Sequence, residues 1–182
     1  EALRIYEALG DEAGAAFAMN NLAAQHMERH RWADALPYLQ RAYRYTGRHG
    51  EEIEKAYLER DIGHCSAELG QFEEAHHMLD RAETRIQHLG VIREIPLLLS
   101  ARMALARKEG HDQEALGFAL RSLALSDSLN TLDLNGELAH AMERFNEGEM
   151  RQEIEDLKQR IAAKNAGADD QWWTMLIWKS LA

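Results

Sequence analysis

Gly10, Gly50 and Gly90 stand forty residues apart, and Asn130 falls at the next interval. A chain that repeats at such a period folds as an array of similar units, each too small to bury its apolar face alone. His30, Gly70 and Gly110 form a second series with the same spacing, offset by twenty, and divide every unit into two helix-sized halves. Ala35, Ala75 and Ala115 form a third, five residues after each member of the second. Glycine and asparagine accept the left-handed backbone that ends a helix, so the first two series predict helix stops and make each unit a helical hairpin. The alanine, early in each second helix, lets two helices cross closely where a larger side chain would hold them apart. Leu22 and Ile62 in the first helices, Trp32 and Phe72 after the mid-unit turn, and Leu39 and Leu79 supply the apolar seam.

This spacing predicts an all-α chain with units at 11–50, 51–90 and 91–130. Residues 1–10 read as the end of an earlier unit's second helix, because Ala2 lies forty residues before Ala42. Pro37 and Pro96 fall near helix starts, where a missing N–H costs least. The third unit departs from the pattern: Arg102 stands where Leu22 and Ile62 stood, and Asp112 replaces the aromatic residue.

The stretches Asn21-Leu22-Ala23 through Trp32-Ala33-Asp34-Ala35 to Leu39 and Ala42, and Ile62-Gly63 through Gly70-Gln71-Phe72-Glu73-Glu74-Ala75 to Leu79 and Ala82, resemble tetratricopeptide repeats. The usual repeat has about 34 residues. A forty-residue unit is similar to the long-helix variants, each helix longer by roughly one turn. The resemblance covers residues 1–130 and implies a right-handed α-solenoid of antiparallel hairpins with a C-terminal helix. It also implies a concave groove lined by the first helices.

Thirty-one acidic residues against 21 Lys and Arg give a net charge of −10, so nucleic acid is not an expected partner. The single cysteine, Cys65, excludes an intrachain disulfide framework and a Cys-based zinc ribbon, while leaving the compartment open. His26 and His30 are four apart on one helix and His76 adjoins His77, but no third ligand completes either set, and they read as surface histidines. Neither a phosphate-cradling glycine loop nor a Gly-x-Ser-x-Gly elbow is present. Cys65, beside His64 in a first helix, reads as a small buried residue rather than a nucleophile. The expectation is a binding module, not an enzyme, with no catalytic residue, metal or cofactor.

The functional surface expected is the groove. With Leu22 and Ile62 facing the core, the helical period turns Phe17, Asn20, Asn21, Ala24 and Met27 toward it in the first unit, and Tyr57, Arg60, Asp61, His64 and Glu68 in the second. Phe17 and Tyr57 are forty residues apart and read either as a repeated contact for a ligand or as a repeated core position at the joint between units. In the long repeats that these resemble, the asparagine before the Leu holds the backbone of a bound peptide. Asn21 matches that place, and Asp61 replaces it in the second unit. A protein or peptide is the partner this implies, by the resemblance; the contrasting expectations are a homodimerising scaffold and the repeat domain of a peptide-responsive transcription regulator.

Residues 131–166 read as capping or coil helices, with a pause around Asn146 and Gly148 and a resumption near Met150. Met150, Ile154, Leu157 and Ile161 are spaced 4, 3 and 4, a short heptad seam for a capping helix on the third hairpin or for a homodimer through 150–161. Ala124–Leu129, Phe145–Glu147 and Glu153–Leu157 resemble the junction that closes the repeat array in many bacterial sensor proteins, where a diguanylate cyclase or histidine kinase output follows. That resemblance implies the input region of a larger signalling protein. The tail 167–182 is Trp-rich, and Trp172, Trp173, Leu176 and Ile177 are its expected contact residues. It is shorter than the about twenty residues that span a membrane, yet its paired tryptophans suit a membrane interface. Lipid, a second copy or the chain's own repeats are the covers considered for it. The expected location is the extracytoplasmic side of a bacterial membrane if the tail opens a spanning helix, and the cytoplasm otherwise.

Overall fold

The computed structural model describes residues 1–132 and 147–164, with side chains at all of these except 127, 128 and 130–132. Every element among them is helical: α1 (Ala2–Leu9), α2 (Glu12–Met27), α3 (Trp32–His49), α4 (Glu52–Glu68), α5 (Phe72–Leu89), α6 (Ile95–Glu109) and α7 (Asp112–Leu132), with a 3-10 turn at Ile92–Glu94 leading into α6. Residues 147–164 form a further helix, α8. The pairs α2 with α3, α4 with α5 and α6 with α7 pack together, and α4 packs on α3, α6 on α5, and α6 also on α4.

The turns repeat in atomic detail. At residue 30 the amide of Arg31 donates to the His26 carbonyl (2.9 Å) and that of His30 to Met27 (2.8 Å). The same two bonds recur at Gly10, Gly70, Gly90 and Gly110, each time one from the turn residue and one from its successor. This closure satisfies two orphan carbonyls of the helix end and needs a positive φ. The five residues have φ of 68°, 53°, 75°, 67° and 83°, and His30 is the only one that is not glycine among the described residues. Gly50 differs from the expected left-handed stop. Its φ is −80° and its ψ 160°, and what its position excludes is a side chain: a Cβ there would lie 2.3 Å from the Thr46 methyl. The Glu51 and Glu54 carboxylates then form a reciprocal capping box at the start of α4.

Ala35, Ala75 and Ala115 have no exposed surface. Leu39, Leu79 and Ala119 follow four residues later, equally buried, and Ala42, Ala82 and Ser122 three beyond those. At the α4–α5 crossing a Cβ on Gly63 would meet the Leu79 side chain at 2.7 Å and the Ala75 carbonyl at 3.3 Å, so two of the smallest residues bring the backbones together. Each core cluster draws on three helices. Leu58, Ile62 and Cys65 of α4 close the first over α2 and α3. Leu98, Ala101 and Leu105 of α6 close the second over α4 and α5.

Four details differ from the sequence expectation. Leu22 is only half-buried while Ala23 beside it is fully buried, because the alanine-rich face of α2 lies close against α3. Pro37 sits in the second turn of α3 rather than at its start. Ala2 is exposed where Ala42 and Ala82 are buried, since no described helix covers that side of α1. Finally, α7 passes through Asn130 to Leu132 without stopping, and residues 147–149, where a pause is expected around Gly148, are helical.

Candidate functional site

On the first helix of unit one, Asp11 accepts from the Gly14 amide at 2.9 Å and fixes where α2 starts. The helix then presents Phe17, 65% exposed, with Asn21 and Ala24 also exposed and Asn20 half-buried. Met27, expected on the same face, packs instead against the first core cluster. The cause is the helical period: Met27 stands four residues after the fully buried Ala23 and shares its inward face.

The equivalent residues of unit two are engaged within the chain. Arg60 donates to Asp61 at 2.8 Å and reaches across to Glu94, at the entry of α6, at 2.6 Å. Its guanidinium lies 5.5 Å from the Tyr57 ring centroid. Burial works against its charge, but Asp61 and Glu94 outweigh that and hold its pKa above the ordinary value. The Tyr57 hydroxyl titrates above its usual range, through burial first and then through the charge of Glu94 and a hydrogen bond to it. Tyr57, Arg60, Asp61 and Glu94 thus form one polar knot joining units two and three.

His64 lies with its ring centroid 5.0 Å from that of Trp32, whose edge also meets His30 at 5.5 Å. Burial is the main cause holding the His64 imidazole below its ordinary pKa, with Arg60 and Arg107 acting the same way and Glu68 and Asp61 opposing. Trp32 fills the joint between the first two units, as Phe72 packs against the second core cluster. Cys65 has no exposed surface, and burial pushes its thiol up to about 12, followed by the charges of Asp61 and Glu68. A thiol that keeps its proton at neutral pH is a poor nucleophile. Glu68 is tied to Arg107 at 2.8 Å and Lys108 at 2.9 Å, so it too is engaged rather than free to meet a ligand.

The most buried charge in the described residues is one that sequence reading passed over. Glu59 has no exposed surface. The Tyr43 hydroxyl donates to it at 2.7 Å, and Arg81 and Arg85 meet its two oxygens at 2.9 and 2.8 Å. Arg85 also pairs with Glu52, and the Arg81 guanidinium lies 5.8 Å from the Tyr43 ring centroid. The signal was in the repeat itself, since Glu59 occupies the register of Met19 and Leu99, both buried apolar residues.

In the C-terminal part, Ile154 and Leu157 of α8 are buried against Met103, Ala106, Ala115 and Ala119 of the third hairpin, with Met150 partly buried beside them. The heptad seam therefore faces this chain's own hairpin. Trp172, Trp173, Leu176 and Ile177 lie outside the described residues, as do 133–146 of the capping segment. Among the described residues no cluster of three His, Cys, Asp or Glu could hold a metal ion, and no helix is long and apolar enough to cross a membrane. His26 stacks on Tyr38 at 5.8 Å, and His76 pairs with Glu109 at 3.0 Å.

Compared with models of known protein families and with curated proteins, the chain matches none.

Proposed function

We propose that the chain is a non-enzymatic protein- or peptide-binding module, a tetratricopeptide-like right-handed solenoid that serves as the input region of a larger bacterial signalling protein. The contrast between the first helices of units one and two carries this reading. Phe17, Asn21 and Ala24 on α2 are open, whereas Tyr57, Arg60 and Asp61 on α4 are tied into internal contacts. An exposed aromatic ring beside side-chain amides suits an extended peptide: the ring covers an apolar side chain while the amides bond the peptide backbone, which no water need then satisfy. The signalling context follows from the resemblance of the junction between Ala124 and Leu157.

The test is a peptide-display selection on the full chain, repeated with Phe17→Ala/Asn21→Ala. Selected peptides should bind the double variant about tenfold more weakly, equivalent to about 1.4 kcal/mol, with an unchanged melting temperature because Phe17 and Asn21 are exposed. Equal binding by both chains would remove α2 as the site.

A further inference from the structure

The place that α8 occupies has a counterpart in each earlier unit. On the first hairpin, α4 inserts Leu58, Ile62 and Cys65; on the second, α6 inserts Leu98, Ala101 and Leu105 beside Ala75 and Leu79. On the third, the equivalents of those last two residues, Ala115 and Ala119, receive Ile154 and Leu157 from α8. The third hairpin thus offers the same seat that the next unit's first helix fills elsewhere.

What fills it is out of register. First helices begin at 12 and 52, and the third unit's 3-10 turn at 92, so the next would begin at 132, yet α7 still runs through 132 and the helix on this seat is the one at 147–164. Between the earlier units a two-residue turn leads directly into the helix that takes the seat; here the residues that α8 presents match the seat. The match is one of charge as well as shape. Arg107, already paired to Glu68, meets Glu153 at 3.2 Å. Asp112, whose side chain is 3% exposed, is neutralised by Arg160 at 2.9 Å and Lys164 at 2.5 Å, both from α8. Lys164 also donates to the Gly110 carbonyl at 3.3 Å, an acceptor at the helix end where a cation is favoured.

The fit is nevertheless incomplete. Only Ile154 and Leu157 of α8 are fully covered, and a cavity of about 520 Å³ stays open between the α6–α7 turn and the last turn of α8, bordered by Asp112, Ile161 and Lys164. The cations that hold this end are 38% and 60% exposed, so dissolved salt screens them.

We propose that this face of the third hairpin is a helix-docking site and that α8 is its resident, exchangeable occupant. The partner it fits is an amphipathic helix carrying an apolar pair three residues apart, followed by cations three and seven residues after the second member. Such a partner displaces α8 by competing for Ala115, Ala119 and Asp112.

A fluorescent peptide with the sequence 147–164 is the probe, titrated by anisotropy into the full chain and into full-chain Ile154→Asp/Leu157→Asp, whose own α8 is expelled. The variant should bind the peptide at least about tenfold more tightly than the wild type, in which the tethered α8 competes. A peptide with Arg160→Glu and Lys164→Glu should not bind, and added NaCl should weaken the parent peptide. Circular dichroism of the variant establishes that α1–α7 remain folded. If they do not, full-chain Arg160→Glu/Lys164→Glu, altered only at partly exposed positions, replaces it, and amide exchange over 147–164 should then accelerate with exchange elsewhere unchanged. A folded variant that ignores the peptide, or takes the charge-reversed peptide equally well, overturns the proposal. So does unaltered exchange in the second variant.

Discussion

Tyr43 on α3 and Glu59 on α4 share a hydrogen bond of 2.7 Å that ties the first unit to a carboxylate with no exposed surface. Removing the hydroxyl in Tyr43→Phe takes one charge-assisted bond from that carboxylate and should cost about 1.5 kcal/mol in urea melts. Glu59→Ala leaves a void and takes their shared anion from Arg81 and Arg85, and should cost about 2–4 kcal/mol, moderated because Arg85 keeps Glu52 and both cations retain some access to water. Glu59→Leu, which restores the residue type of position 99, should cost less than Glu59→Ala. The reverse order would mean that water admitted to Arg81 and Arg85 through the void outweighs the filled volume.

His64 makes stability depend on acidity. Its folded pKa lies below the ordinary 6.5, mainly through burial, so between the two values the unfolded chain binds the proton and the folded chain does not. The stability it contributes is complete above about pH 6.5 and is lost as the pH falls through the folded value. Wild type should therefore lose stability more steeply below about pH 6.5 than His64→Gln, measured by denaturant midpoint at successive pH values. Parallel curves for the two chains would rule His64 out as the source.

Cys65 should resist alkylation. With no exposed surface and its thiol pushed up to about 12, the native chain should react with iodoacetamide at pH 8 only through unfolding, and mild urea should raise the rate in step with the unfolded fraction. Rapid labelling in buffer would place the thiol at an opening that the structure lacks.

Ala75→Leu should cost about 1–3 kcal/mol, because the added atoms enter the α4–α5 crossing where Gly63 and Leu79 are already in contact. The same change at exposed Ala24 should be close to neutral. Thermal midpoints of the two variants make the comparison.

The turns and crossings were legible because glycine and alanine at fixed intervals record backbone conformation and helix separation, which hardly depend on neighbouring side chains. Ala75 and Gly70 could be placed on that ground alone. Arg60 and Asp61 could not, since an amphipathic helix gives them the same face whether they meet solvent, a ligand or Glu94, and Glu94 belongs to a different unit. Gly50 carried the interval but not the conformation: glycine is compatible both with a left-handed stop and with a crowded extended turn. Glu59 was legible in principle, for a carboxylate standing in register with Met19 and Leu99 is out of place on a surface reading. The destination of Ile154 and Leu157 was not, because a heptad seam has the same pattern against its own hairpin as against another chain.

The burial of Glu59 also orders events in time. During synthesis α4 is complete at residue 68, but the cations that let its carboxylate leave water stand at 81 and 85. Until those residues emerge, the carboxylate has only the Tyr43 phenol to meet it, and taking it fully out of water is strongly unfavourable. The closed joint, with Glu59 out of water, is therefore completed only when the second helix of the later unit brings its cations.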